Sequence, residues 1–400
     1  MRLPPGPRPD GPQGVLSRLR ADWLGSLCAL QQEYGDVVWL PMPARLPPMV
    51  LLGHPKHVEQ VLVRDAAGFR KSALQRRVRI AIGNGVFTSE GAAWRRQRRL
   101  LMPHFQPARV ATYAAEMQRQ GERLRAVLAQ GGEHDVFALA LDLALRVVVR
   151  VLFAQELEQV TNEVGLAFTD MADSLHAWLY GDELSAGFAV TPNLRRLQVA
   201  VAALDRLILR LIAERRARGA AAGDGDLLSL LIHAQDEDGG EGALTDRELR
   251  DQALTLFVAG SETVALTLAW GLYLLACNPA AAARARALTG EAREGFIDQV
   301  VREVLRLYPP TWAFSHAPCA DWTLVGYDIP CDTTVLMSPY LLHRDERFFA
   351  DPGSFRPERW AGAPPPRYAY LPFGEGPRAC LGARFALQEL RLVLGSLLQG

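Results

Sequence analysis

The run from Ala253 to Cys277 is almost wholly apolar, but Ser261, Glu262 and Thr263 interrupt it at its middle. It is long enough to span a membrane. A carboxylate at mid-bilayer would cost roughly 3 kcal/mol on insertion scales, and charges flank the run on one side only, so a buried central helix is the expected structure. Thr245 followed three residues later by Glu248 makes a capping-box pattern at its start, and Asn278-Pro279 marks its end. A helix between these limits would have about 30 residues and a length of roughly 45 Å, enough to cross a whole domain. Polar residues halfway along such a helix need a reason.

Helical periodicity also runs from Asp22 to Tyr34, from Ala108 to Glu214 and on from Thr245 to Leu307, with strand-like runs at Asp36 to Trp39 and Met49 to Leu52. The expected fold is mainly α with a small β domain. One unit over residues 1–400 is expected, with about 30–70 contributing to a small sheet-rich lobe. About 71–400 would form a helix-rich lobe with further short strands near 320–340. Gly219 to Asp226 and Asp236 to Gly242 read as exposed loops, since periodic helix resumes soon after each. The formal net charge is zero, so no overall excess draws the chain to nucleic acid or an anionic membrane. The N-terminal MRLPPGPRPDGPQG lacks a secretory or anchoring apolar stretch, which makes a cytoplasmic protein without a transmembrane anchor the expectation. Lysine occurs only at Lys56 and Lys71 beside abundant arginine, which reads as coding bias without functional signal.

The five cysteines, Cys28, Cys277, Cys319, Cys331 and Cys380, are scattered and include no C-x-x-C pair, so neither a disulfide framework nor a structural zinc site is indicated. Cys380 stands apart. It lies in Phe373-Gly-Glu-Gly376-Pro-Arg378-Ala-Cys380-Leu-Gly382, directly before a helix-forming run, Ala383 to Leu397. Glycines at 374, 376 and 382 let the backbone turn tightly and approach a flat ligand. A cysteine at a helix N-terminus is favoured as a thiolate, the form that binds iron. Phe373 would shield the sulfur, and Arg378 is placed to pair with a haem propionate. The alternative is a buried structural cysteine in a glycine-rich turn.

Elsewhere, Glu303 and Arg306 share one face of a helix that Pro309-Pro310 terminates, and Arg359 would add a third charge. Standing alone, such a pair would be an exposed ion pair worth a few tenths of a kcal/mol. Trp94 and Arg98, at i,i+4 spacing, present an indole N–H and a guanidinium on one helix face, where both can bind a carboxylate. Arg95, Arg96 and Arg99 face elsewhere, either as a solvated basic face or as part of a docking patch for an acidic electron-transfer protein.

The cysteine loop resembles the signature F-x-x-G-x-R-x-C-x-G of the haem-thiolate monooxygenases, the cytochrome P450 superfamily. Glu303-Val-Leu-Arg306 is similar to its E-x-x-R, Pro357-Glu358-Arg359-Trp360 to its P-E-R-[FW] and Trp94 to Arg98 to its W-x-x-x-R. Ala259-Gly260-Ser261-Glu262-Thr263 is similar to its [AG]-G-x-[DE]-T. The resemblance implies a cytochrome P450 fold and haem b held by Cys380. Oxygen activation would take place where the central helix widens: Gly260 leaves space, Thr263 hydrogen-bonds the oxygen and Glu262 helps relay protons. It further implies that Trp94, Arg98 and Arg378 hold the propionates, that Ala259, Phe373, Gly376 and Gly382 line the haem, and that the Glu303–Arg306–Arg359 triad is structural.

Two departures stand out. His316 occupies a position where the family usually has a propionate-binding arginine, and its charge would depend on pH. Asp332 replaces a common glycine in a surface turn. The chain also ends about twenty residues after Cys380, where family members normally continue into a small sheet that lines the pocket, which implies a fragment or a more open pocket. The expected reaction inserts one atom of O2 into a C–H bond of a long apolar substrate. Ferredoxin or flavodoxin with an NAD(P)H reductase would supply the electrons. By resemblance the substrate is a carotenoid or other long isoprenoid in a channel to which Ala259, Ala313 and Phe314 contribute, with fatty-acid hydroxylation or peroxide-driven chemistry as the alternative. A haem sensor or carrier is the non-enzymatic alternative.

Overall fold

The computed structural model describes residues 1–9, 14–155, 162–180, 191–218, 226–234 and 243–399. The two glycine-rich stretches expected as loops lie outside these residues, except for Asp226, whose side chain caps the helix Leu227–His233. The long apolar run forms one helix, Asp246–Cys277, opened by a true capping box. Thr245 Oγ1 accepts from the Glu248 N–H at 3.2 Å, and Glu248 Oε2 accepts from the Thr245 N–H at 2.9 Å. It is a core helix, packed against helices Val136–Phe153, Pro192–Arg218, Gly290–Leu307 and Ala383–Leu397. Leu254 and Phe257 join an apolar cluster with Val148, Phe168 and Leu204, whereas Val264 and Leu268 join another with Val300, Val304, Leu390 and Leu394. Burial of both faces explains why its composition mimics a membrane span.

The region expected to be helical from 108 to 214 divides into Pro107–Ala111, Ala114–Ala129, Val136–Phe153, Asn162–Tyr180 and Pro192–Arg218. Among the described residues seven short strands form two sheets: β1 (Val37–Leu40), β2 (Met49–Leu52), β3 (Phe69–Lys71), β4 (Phe314–Pro318), β5 (Trp322–Leu324), β6 (Tyr327–Ile329) and β7 (Thr334–Met337). The larger sheet has the order β1-β2-β7-β4-β3, with β2 and β7 parallel and the other neighbours antiparallel. Strands near the N-terminus thus pair with strands from 314–337, so one sheet draws on both stretches. Asp332 holds the turn before β7 with a left-handed φ of +63° and pairs with Arg70.

Candidate functional site

Gly374 and Gly376 give the cysteine loop its shape, with φ of +66° and +71°. A Cβ on Gly376 would lie 2.0 Å from the Leu62 carbonyl oxygen, so here glycine permits two stretches of the protein's own backbone to meet. The left-handed φ agrees with the tight turn expected there, and the approach to Leu62 is a further demand on the same glycine. Gly382 has φ of −85°, and a Cβ there would meet only Phe105, at 3.9 Å. The Cys380 N–H donates to the Phe373 carbonyl at 2.8 Å, while the Phe373 ring packs on the core around Phe385.

Cys380 precedes the helix Ala383–Leu397 rather than starting it. Burial pushes its thiol up, outweighing the Gly382 N–H and Arg98, which pull it down. Helix-end stabilisation of a free thiolate, as expected from sequence, therefore gives way to burial. A thiolate here needs a cation on the sulfur, which is the condition a metal supplies. Cys380 carries accessible surface although protein packs densely around it. Ala259 is likewise exposed in mid-core. Their sequence neighbours Leu381 and Val258 pack on the same apolar cluster.

Behind the loop lies a buried charge network. Glu303 and Arg306 are both 0% exposed and joined by two hydrogen bonds, 2.9 and 2.8 Å, so the bland surface-pair alternative does not hold. The Glu303 carboxylate also accepts from Arg359 Nε, Trp360 Nε1 and the Arg356 N–H, each at 2.9 Å. Arg306 spends its remaining donors on the carbonyls of His343, Pro352 and Ser354.

Trp94 and Arg98 do share one face, and Arg378 joins them. The Arg378 and Arg98 guanidinium carbons lie 3.9 and 5.8 Å from the Trp94 ring centre. Arg98 donates to the Ala379 carbonyl and Arg378 to that of Ser89. Strand register adds two residues: β3 and β4 set Lys71 directly opposite His316, on the same face of the sheet. Burial, then repulsion from Arg378, brings Lys71 down to about 8, and burial with Arg98 brings Arg378 to about 10. His316 falls to about 3 through burial and the cations Lys71 and Arg378.

Among the described residues none of Lys71, Arg98 and Arg378 has a carboxylate in ion-pair contact. Glu90, whose carboxylate takes the Lys71 backbone N–H, only moderates the charge on Lys71 and Arg378. His316 Nδ1 is buried without a hydrogen-bond partner. Gathered cations and an orphaned imidazole nitrogen are costly unless acidic groups satisfy them, and two propionates fit that need. Lys71 is the residue that sequence reading missed; only the register of β3 on β4 reveals it. Arg96, in contrast, leaves the expected docking patch: it is tied to Glu248 at 2.9 Å.

On the central helix, Thr263 Oγ1 donates to the Ala259 carbonyl at 2.7 Å, leaving its lone pairs as acceptors. The Glu262 carboxyl is raised by burial, with His176 and Asp173 of the helix Asn162–Tyr180 acting on it in opposite senses. A Cβ on Gly260 would meet a methyl of Val148 at 3.0 Å, so the missing side chain admits the neighbouring helix Val136–Phe153 at this point. Ala313 and Phe314 are half-buried and pack on the apolar clusters beside the large sheet.

A partly accessible cysteine set in dense protein, cations without carboxylate contacts among the described residues and an acid–alcohol pair on a core helix suit an oxygen-activating haem protein. The chain belongs to the cytochrome P450 family, which residues 4–400 match, and it is accordingly a haem b-dependent oxidoreductase that incorporates oxygen from O2. It is 35% identical to cyclooctatin synthase of Streptomyces melanosporofaciens, over 96% of this chain and 85% of that protein. Cyclooctat-9-en-7-ol 5-monooxygenase of the same organism is 33% identical with the same coverage. Pentalenene oxygenase of Streptomyces avermitilis is 32% identical over 86% of this chain and 79% of its own length.

Proposed function

We propose that Cys380 is the axial iron ligand of a monooxygenase that hydroxylates an apolar isoprenoid. Trp94, Arg98, His316, Arg378 and Lys71 receive the propionates; Phe373, Gly376 and Gly382 shape the cysteine side; Ala259 borders the substrate. The observation that carries this reading is the set of buried Lys71 and His316 with half-buried Arg98 and Arg378, in which no cation has a carboxylate in ion-pair contact among the described residues and His316 Nδ1 has no hydrogen-bond partner. Haem, when bound, supplies the redox chemistry that activates O2. The protein's part is proton delivery: Glu262, whose carboxyl burial makes a weaker acid, passes a proton towards the Thr263 hydroxyl, which the Ala259 carbonyl holds in orientation.

Thr263→Ala should leave substrate binding intact but lower product formed per NAD(P)H by about tenfold or more, with peroxide released instead. Assaying coupling beside peroxide checks it; unchanged coupling would remove the role given to Thr263. The retained acid and alcohol also favour dioxygen over peroxide as oxidant and an enzyme over a sensor or carrier. Electrons come from an external ferredoxin or flavodoxin with its NAD(P)H reductase, towards which the exposed Arg95 and Arg99 are suited. A cytoplasmic location goes with this reading.

The substrate class rests on relatives named for pentalenene and cyclooctat-9-en-7-ol, a hydrocarbon and an alcohol. Cyclic terpene alkenes and alkenols, carotenoids and long-chain fatty acids can be titrated against the ferric protein. A Soret shift with an isoprenoid at the lowest concentration is expected. A stronger response to fatty acids would move the assignment to that class.

A further inference from the structure

His343 is 0% exposed, follows the short helix Pro339–Leu342 and lies between the rings of Phe349 and Tyr370. Both ring nitrogens are engaged. The Leu371 backbone N–H donates to Nε2 at 3.0 Å, and since that group can only donate, Nε2 must be the acceptor. Nδ1 then carries the hydrogen and faces the Arg306 carbonyl at 3.3 Å, one of the last-turn carbonyls that the helix Gly290–Leu307 leaves unsatisfied. In return, Arg306 Nη1 donates to the His343 carbonyl at 2.8 Å. Burial holds the imidazole down at about 3, with the adjacent Arg306 and Arg344 adding to the effect, so it stays neutral and the tautomer is fixed.

On its other side, Leu371 opens the cysteine loop. It is 1% exposed, its carbonyl accepts from the Gly374 N–H at 3.1 Å, and Phe373, two residues on, accepts from the Cys380 N–H at 2.8 Å. No side chain of the Glu303–Arg306–Arg359 network hydrogen-bonds any residue from 371 to 382 among the described bonds; the imidazole of His343 does.

We propose that His343 is a positioning residue, the relay that sets the Cys380 loop against the Arg306 network through the Leu371 backbone. The proposal rests on the assignment of Cys380 as iron ligand. Its consequence is specific to one ring nitrogen. Glutamine can bring an amide oxygen to the place of Nε2 and keep the bond from Leu371. Asparagine reaches only the place of Nδ1 and loses it.

The test uses the full-length, haem-loaded protein and its His343→Gln and His343→Asn variants, read by the spectrum of the reduced carbon monoxide complex and by the iron reduction potential. In His343→Gln the parental spectrum and potential are expected. In His343→Asn the ratio of blue-shifted, thiol-type complex to red-shifted, thiolate complex should rise roughly fivefold, the effect of one lost hydrogen bond, with a shift in potential. Parental spectra in both variants, or equal loss in both, would overturn the relay. A parent without the red-shifted band would instead overturn the Cys380 assignment, and the proposal with it. Should His343→Asn yield no haem-loaded protein, hydrogen exchange in the parent decides: slow exchange at the Leu371 amide supports the relay, and exchange at the rate of an exposed amide overturns it.

Discussion

Glu303→Ala should lower the free energy of unfolding by about 3–5 kcal/mol, the cost of leaving one member of a buried ion pair without its partner. Arg306 would keep its charge at 0% exposure, and Arg359, Trp360 and the Arg356 N–H would lose their acceptor together. With an unfolding entropy of roughly 2.1 cal/mol/K per residue, this corresponds to a fall in Tm of about 4–6 °C for a chain of this length. Calorimetry of the haem-loaded protein checks it. Glu303→Gln should fall between parent and alanine variant, because an amide still accepts hydrogen bonds. A loss below about 1 kcal/mol for Glu303→Ala would mean that the network acts like a surface ion pair.

Gly376→Ala should damage the site more than Gly374→Ala, although both glycines have nearly the same left-handed φ. The conformational cost of a side chain there is about 1–2 kcal/mol at either position. At Gly374 nothing lies within 4 Å of the added Cβ, so the cost ends there. At Gly376 the Cβ would lie 2.0 Å from the Leu62 carbonyl oxygen, which is backbone and cannot rotate away, so the loop must separate from the segment Gln60–Arg64. Haem loss measured by transfer to apomyoglobin should accelerate clearly for Gly376→Ala and little for Gly374→Ala. Equal rates would show that the approach to Leu62 is not a constraint on the loop.

These contrasts mark where local sequence stops being informative. The central helix was legible because the capping box, the apolar run and the terminal Asn278-Pro279 are all contiguous signals. Cys380, Arg378, Trp94 and Arg98 were legible through spacing. What could not be read depends on partners distant in the chain. Lys71 comes to lie opposite His316 only because β3 pairs with β4, and Gly376 is constrained by a carbonyl of another segment. Glu303, Arg306 and Arg359 announce a charge triad, but not that the Glu303–Arg306 pair is fully buried with Trp360 bonded to it. His316 was visible as a departure; the downward push on its pKa comes from burial and from Lys71 and Arg378, which local sequence does not show. Arg96 looked like its neighbours until its bond to Glu248 was seen.

The reduced carbon monoxide spectrum of the purified protein, recorded beside Cys380→Ser, tests the central claim most directly. A strongly red-shifted Soret band in the parent that disappears in the variant is the predicted result, since no other cysteine lies in the loop. An imidazole-type spectrum in the parent, or a red-shifted band that survives in Cys380→Ser, would contradict the assignment of Cys380 as the iron ligand.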